Sequence, residues 1–371
     1  MSQLTSKICV LFGGESAEHE VSCRSARFVL ESLGKKTDQL IPVGITKEGR
    51  WYPWDQAIPD EFCPPKDKPS FEIGDFSPKA LFSRIFGLAQ PLSPEHHVVF
   101  PVLHGTFGED GTLQGLCELA GVSYVGSDTL GSALAMNKVL AKEVVGSLMP
   151  IVPYRSWDLN GWQKNKKELL EQVYSSLKPP YFVKPVSLGS SVGISKVERP
   201  ELLEAAIEVA FLYDREILVE EGLESPRELE CALLGDSQNL RTSQIAEIVP
   251  QKGGFYTYEA KYLDPQGMKA RIEAPAQIPA ELSLEIQKKS REIFQKCHLS
   301  GMARIDFFYD ESRGGLYFNE VNTIPGFTSI SQYPALWRLE GLDGPELCAE
   351  LIEIAKRRGL QIGSLRRGKP I

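Results

Sequence analysis

Arg304-Ile305-Asp306-Phe307-Phe308 is followed, after Gly314-Gly315, by Tyr317-Phe318-Asn319-Glu320-Val321-Asn322-Thr323-Ile324-Pro325-Gly326. Both runs are apolar and aromatic enough for strands, and the glycine pair between them is a turn signal. Side chains alternate between faces along a strand, so Arg304 and Asp306 point one way together, as do Glu320 and Asn322. If the runs pair, three oxygen donors and one fixed cation converge. Hard divalent ions take carboxylate and amide oxygens, and Mg²⁺ is typically held by one or two carboxylates plus substrate phosphates. A solvated hairpin face is the simpler account of one exposed acid, but three donors set among Phe and Val point to a metal site for ATP.

The rest of the chain bounds this reading. At 371 residues it exceeds the size at which one core keeps growing, so two or three domains are expected. Hydrophobic residues at 42% and charged residues at 24% are ordinary globular values. A net charge of −8 argues against broad nucleic-acid or anionic-membrane binding while leaving room for a local anion pocket. The seven cysteines are scattered and include no C-x-x-C pair, so neither a zinc site nor a disulfide framework is indicated. The apolar run Ile8 to Phe12 is too brief for a signal-peptide core or a membrane span. A cytoplasmic protein acting on small molecules, with no nucleic-acid or membrane partner, is expected.

Lys7 to Phe12 reads as a buried strand, and Gly13-Gly14 followed by Glu20 to Leu33 reads as a loop opening a helix. Strands at Ile41 to Ile45, Val98 to Leu103 and Val122 to Val125, with a helix at Leu113 to Ala120, complete a βα-alternating first part. Pro53 to Pro94 shows no sustained period and is expected to pack as an irregular insertion. After Pro150 come strands at Tyr181 to Lys184, Ile194 to Val197 and Ile217 to Glu221, with one helix at Pro200 to Ala210. A third block has strands at Glu228 to Leu234 and Gln244 to Val249. It adds a helix carrying Leu282, Ile286, Ile293 and Cys297 on one face, the metal strands, and a final helix at Glu346 to Arg358.

Several loops carry chemistry. Ser187-Leu188-Gly189-Ser190-Ser191-Val192-Gly193 follows the strand ending in Lys184-Pro185 and has the makings of a phosphate cradle: backbone N–H groups, hydroxyls and a lysine. It lacks the G-x-x-x-x-G-K-[ST] spacing of a Walker loop. Ile217 to Leu223 ends an apolar strand on Glu220 and Glu221, which offers acceptors to an adenine edge, and Glu228 is placed to accept from ribose hydroxyls; a solvated strand end is the equal alternative. Lys138, on the helix after Asn137, reads by itself as a surface lysine. Gly253 to Tyr262 combines glycines, tyrosines and Lys261 and reads as a lid over about 251–267, against an aromatic satellite core. His104 to Gly111 and Gly13 to Ser22 lie at carboxyl ends of strands, where α/β sheets place ligands.

Taken together, GGESAEHEVS, HGTFGEDGTLQG, KPVSLGSSVGISKV, YTYEAKY, RIDFFY and NEVNTIPGFTSIS occur in the order seen in the D-alanine–D-alanine ligases, and the chain resembles that family of the ATP-grasp superfamily along nearly its whole length. The resemblance implies an α/β, three-domain ATP-grasp ligase. Its Rossmann-like N-terminal domain would span 1–135, the small central domain 136–224 and the C-terminal domain 225–371. ATP would be gripped between the last two. The resemblance also implies a homodimer.

By the same resemblance, Lys138 and Lys184 meet the α and β phosphates beside Ser190 and Ser191. Glu220 takes the adenine amino group with Glu221 and Leu223 nearby, Glu228 takes the ribose and Lys261 the γ-phosphate. Asp306, Glu320 and Asn322 hold two Mg²⁺ (or Mn²⁺) ions. Glu18 binds the ammonium of the first D-alanine, His104 lies beside it, and Ser331 takes the second carboxylate. Arg304 and the Gly326 N–H stabilise the tetrahedral oxyanion, and Glu18, Ser190 and Tyr262 form a hydrogen-bonded trio. Tyr262 favours an amine acceptor over the hydroxyl of a D-alanyl-D-lactate ligase. Gln332 departs from the apolar residue usual beside the serine, which bears on recognition of the second substrate.

Overall fold

Ile8, Cys9, Val10, Leu11 and Phe12 are all fully buried, as a central strand requires. This is a computed structural model, and it describes residues 4–56, 58, 62, 70, 77–88, 92–250, 270–312 and 314–365. The strand is β1 (Lys7–Gly13), joined by β2 (Leu40–Ile45), β3 (Trp51–Pro53), β4 (His97–Pro101) and β5 (Ser123–Tyr124) in the order β3-β2-β1-β4-β5. All neighbours are parallel except β3, which runs antiparallel to β2. Helices α1 (His19–Leu33), α2 (Pro78–Ile85), α3 (Thr112–Ala120), α4 (Thr129–Met136) and α5 (Lys138–Val145) belong to this first 145-residue stretch.

A second, antiparallel sheet has the order β6-β9-β7-β8 from β6 (Tyr154–Asp158), β7 (Tyr181–Pro185), β8 (Ser195–Val197) and β9 (Glu216–Glu221). With α6 (Leu159–Ser176) and α7 (Leu203–Ala210) it closes around its own core of Trp162, Val173, Tyr181, Ile207 and Val219.

The third sheet is antiparallel, β12-β11-β10-β13-β14, from β10 (Arg227–Gly235), β11 (Arg241–Pro250), β12 (Ala270–Glu273), β13 (Gly301–Asp310) and β14 (Gly315–Asn322). Alternation along β10 buries both faces: Cys231 and Leu233 join a core with Ile286 and Ile293 of α8 (Ala280–Lys296), and Ala232 and Leu234 join another. That second core also contains Tyr333, Leu336 and Trp337 of α9 (Gln332–Leu339), Leu347 and Leu351 of α10 (Gly344–Gly363), and Val10, Phe12, Ala26 and Val29 of the first sheet and α1. The first and third sheets therefore share one hydrophobic core.

Three expectations need correction. The stretch 53–94 is not wholly irregular: Ser77 caps α2, accepting from the Ala80 N–H at 3.3 Å, and Leu81, Phe82 and Ile85 pack under the first sheet. Pro200 to Ala210 is not one helix, because Pro200–Leu202 winds as a 3₁₀ turn before α7 starts. The central part holds α6 as well, an 18-residue helix half of whose residues are Lys, Asn, Gln and Glu, with a thin buried stripe at Trp162, Leu169 and Val173. The lid expected over 251–267, with Lys261 and Tyr262, lies outside the described residues. Among the described residues no helix is long and apolar enough to cross a membrane.

Candidate active site

The two strands that open the sequence analysis pair as expected, with Arg304 opposite Asn322 and Asp306 opposite Glu320. On the other side of β13, Glu230 of β10 stands opposite Asp306, so three carboxylates lie in register across three strands. The register between β13 and β14 shifts just past this point, where Asp306 pairs with Glu320 but Phe307 pairs with Phe318. Such a bulge re-aims side chains at the rim of a sheet. Arg304 neutralises the row: Nε and Nη2 donate to the Asp306 oxygens at 2.8 and 2.7 Å, and Nε lies 3.3 Å from Glu230 Oε1. Burial alone would lower the guanidinium, but Asp306 and Glu230 hold it well above its ordinary value. Asn322 Nδ2 donates to Asp306 Oδ2 at 3.0 Å.

These donors fit a divalent ion. No set of three His, Cys, Asp or Glu side chains among the described residues is close enough to hold a metal without help. The Asn322 amide and substrate phosphates would have to complete the shell, which is the usual situation of Mg²⁺ at a nucleotide. Arg304 donates to the Asp306 carboxylate that such an ion would share.

Lysines gather on the opposite wall. Lys138 opens α5, and its Nζ donates to Leu188 O at 2.5 Å and lies 3.7 Å from Glu320 Oε2. One turn further, Lys142 is only 1% exposed. Its Nζ pairs with Glu220 Oε1 at 2.5 Å, while Lys184 Nζ of β7 donates to Glu220 Oε2 at 2.5 Å. Burial alone would raise the Glu220 carboxyl; the two ammonium groups overcome it and hold it at about 2. Glu220 is thus the counter-ion of two lysines, and with about four lone-pair positions a carboxylate can still accept from an amino group. Glu221 accepts the Lys178 N–H at 3.1 Å. Ser190 and Ser191 both adopt left-handed φ angles, +51° and +60°. Strain of this kind in non-glycine residues concentrates at ligand-binding loops.

The first sheet contributes the third wall. Glu18, directly before α1, accepts a hydrogen bond from Ser190 Oγ, which closes the Ser187 to Gly193 loop onto the first unit. His104 is buried; its Nδ1 lies 3.0 Å from Ile324 O and its Nε2 lies 3.1 Å from Ser25 Oγ. Burial pushes the imidazole below its ordinary value against the opposing influence of Glu18, so the ring is neutral near pH 7. Glu109 accepts the N–H groups of Gly105 at 2.8 Å and Ile324 at 2.9 Å. Burial, with the nearby Glu18 charge, pushes its carboxyl up to about 8.

One cavity of about 590 Å³ runs between these walls, lined by Glu18, His104, Glu109, Ser190, Glu228, Glu230, Arg304, Asp306, Glu320, Asn322, Gly326, Ser331 and Gln332. Lys138 lines a small adjoining pocket with Gly189, Glu320 and Asn322. Lys184, Ser191, Glu220, Glu221 and Leu223 line neither. Ser331 stands at the start of α9 with its hydroxyl turned back to Thr328, accepting that N–H at 3.0 Å, and Gln332 is the first helical residue.

A family model described as D-ala D-ala ligase N-terminus matches residues 7–127, and one described as D-ala D-ala ligase C-terminus matches residues 144–353. The chain belongs to the D-alanine–D-alanine ligase family. The D-alanine–D-alanine ligase A of Bradyrhizobium diazoefficiens is 41% identical over 372 residues, covering 98% of both chains. A D-alanine–D-alanine ligase of Caldicellulosiruptor bescii matches equally well, at 41% over the same share. Among solved structures, the D-alanine–D-alanine ligase from Coxiella burnetii is 32% identical, covers 96% of each chain and has a TM-score of 0.75. The VanG D-Ala:D-Ser ligase from Enterococcus faecalis is 36% identical with a TM-score of 0.74, covering 95% of this chain and 100% of its own. The α/β fold is that of these ATP-grasp ligases.

In this D-alanine–D-alanine ligase relative, sequence reasoning missed Lys142, Glu230, Glu109 and Ser25. Lys142 stands four residues after Lys138 on one helix, a spacing that puts both on one face. Glu230 stands two residues after Glu228 in a strand and therefore shares its face. Both signals were readable. Glu109 lies in the His104 to Gly111 loop that the sequence singled out, but its partner Ile324 and the Phe327 partner of Ser25 are more than two hundred residues away, so neither role was readable locally.

Proposed function

We propose that this chain joins two D-alanines into D-alanyl-D-alanine with conversion of ATP to ADP and phosphate, the step that supplies the dipeptide for peptidoglycan precursors. The observation that carries the reading is the meeting of three chemistries in one cavity: the Asp306, Glu320 and Asn322 donors, the Arg304 and Gly326 pair, and the Glu18 and Ser190 contact. The relatives reported above bear the peptide-forming name, which sets the D-alanyl-D-lactate alternative aside.

The assignment of roles follows the resemblance to the family. Lys138, Lys184, Ser190 and Ser191 hold the α and β phosphates of ATP, with Glu220, Glu221 and Leu223 at the adenine end and Glu228 at the ribose. Lys261 faces the γ-phosphate. Asp306, Glu320 and Asn322 hold two Mg²⁺ or Mn²⁺ ions, which when bound neutralise phosphate oxygens. Glu18 takes the ammonium of the first D-alanine beside His104. The carboxylate of that D-alanine attacks the γ-phosphorus, the bond to the bridging oxygen of ADP breaks, and D-alanyl phosphate forms. Ser331, with Gln332, receives the carboxylate of the second D-alanine, whose neutral amine attacks the acyl carbon. Arg304 and the Gly326 N–H meet the oxygen as it gains negative charge, and phosphate leaves. Glu18, Ser190 and Tyr262 keep the phosphate loop, the lid and the first domain together during both steps.

The finer organisation we propose is a cytoplasmic homodimer whose protomers have domains at 1–135, 136–224 and 225–371, with the lid near 251–267. The test is direct. The protein with ATP, Mg²⁺ and D-alanine should release phosphate and D-alanyl-D-alanine in equal amounts, and omission of Mg²⁺ should abolish both. Parallel reactions with mixtures of D-alanine and either D-serine or D-lactate should give the homodipeptide as the main product. Phosphate release that requires D-lactate, or a dominant mixed product, would overturn the reading.

A further inference from the structure

The segment that carries the Gly326 N–H, Ile324-Pro325-Gly326-Phe327, is held at both ends by residues of the first sheet's loops and helix. The Ile324 N–H donates to Glu109 Oε1 at 2.9 Å, and the Ile324 carbonyl lies 3.0 Å from His104 Nδ1. At the far end the Phe327 N–H donates to Ser25 Oγ at 3.3 Å, and that hydroxyl also lies 3.1 Å from His104 Nε2. The other Glu109 oxygen takes the Gly105 N–H at 2.8 Å. Gly105 has φ +72°, and a Cβ there would stand 2.7 Å from Ser16 Oγ and 3.0 Å from Glu18 Oε2, so the loop is pressed against the residue assigned to the first substrate.

Chain stiffness makes these few bonds decisive. Proline fixes its own φ, and the residue before it is confined to extended backbone. With both polar groups of Ile324 bound and the Phe327 N–H tethered, the direction of the Gly326 N–H depends on very few remaining torsions. Gly326 is itself closely approached, since a Cβ would lie 3.0 Å from Ser331 Oγ. Pre-organised donors stabilise an oxyanion only when aimed at its future position, and a misplacement of about 1 Å can cost on the order of a hundredfold in rate.

We propose that Ser25 and Glu109 are positioning residues for peptide-bond formation. With His104 they clamp the Ile324–Phe327 segment so that the Gly326 N–H is held at the oxyanion position. This inference rests on the ligase reading of the same cavity. It assigns Ser25 and Glu109 no contact with either D-alanine.

The experiment is rapid-quench single turnover on the full-length enzyme with labelled ATP and D-alanine, following ADP and dipeptide separately in the wild type, S25A, S25T and E109Q. S25A removes one tether. E109Q leaves a carbonyl oxygen for one of the two N–H groups and sets an amide donor against the other, which loses its acceptor, so each variant tests the clamp if the other folds poorly. Dipeptide formation should slow by roughly ten- to a hundredfold while phosphoryl transfer and the KM for ATP stay within about twofold. S25T, which keeps the hydroxyl, should recover most of the lost rate. Parallel slowing of both steps, a matching rise in the KM for ATP, or wild-type dipeptide rates in both S25A and E109Q would overturn the clamp. A wild-type enzyme that makes ADP but no dipeptide would instead overturn the ligase reading itself.

Discussion

Lys142 is the side chain whose burial says most about the wall proposed to hold ATP. An ammonium that is 1% exposed is tolerated only beside a counter-ion, and Glu220 supplies it at 2.5 Å while holding Lys184 with its other oxygen. Removing one partner of an isolated buried pair destabilises by about 3 to 5 kcal/mol, but without Lys142 the Glu220 carboxylate keeps Lys184 and no buried charge is left alone. K142M should therefore unfold in urea with a loss of less than about 3 kcal/mol. Lys184 should then bind Glu220 alone and more tightly, so the KM for ATP should rise several-fold with that for D-alanine little changed. K142R, which keeps the charge, should restore most of the ATP affinity. A K142M protein with unchanged ATP affinity would show that Lys142 serves the fold alone.

Elements decide how a few such side chains come together. The alternation in Arg304 to Asn322 was readable because a strand has a fixed period of two, and short apolar runs placed β1, β7, β9 and β10 within a residue or two. The carboxylate row was only half readable: the sequence shows Asp306 and Glu320 on neighbouring strands, but that β10 lies on the other side of β13, bringing Glu230 opposite Asp306, is a matter of sheet order. Helix α6 was hidden because three buried residues in eighteen make too thin a stripe for pattern reading. The loop after β4 shows how an element's environment tunes a group. His104 is buried there, and the folded protein refuses a proton that the unfolded chain accepts below about pH 6.5. Its folded value is depressed, so the stability it contributes is present above pH 6.5 and lost as pH falls from there through the folded value. The unfolding midpoint of the wild type should therefore drop more steeply between pH 6.5 and 5 than that of H104Q. Parallel curves for the two proteins would remove His104 as the source.

At the scale of the molecule, three sheets do not make three independent cores. The first sheet and α1 share a core with α9, α10 and the back of the third sheet, where Val10, Phe12 and Val29 pool with Leu336, Trp337 and Leu351. Lys36 of the first part reaches Glu346 of α10 at 2.7 Å, and Arg358 of α10 donates to Tyr124 O at 2.8 Å and lies 4.3 Å over its ring. The central sheet keeps a separate core under α6 and α7, and it meets the rest through polar contacts such as Ser190 to Glu18. One large part is thus held by a shared core, and a smaller part with its own core joins it through polar contacts, an arrangement that suits a site that must admit ATP and then exclude water. The arrangement separates two fragments. Residues 1–135 alone would expose the apolar face that α10 covers, and exposed patches of that kind lead to association or a loosely packed state. Residues 152–223 bring their whole core with them. Expressed separately, the first fragment should bind a hydrophobic dye and lack a cooperative thermal transition, and the second should unfold cooperatively with dispersed amide resonances. A 1–135 fragment that melts sharply without dye binding would mean that the shared core is a contact between finished domains, and the boundary near residue 135 would then mark a true folding unit.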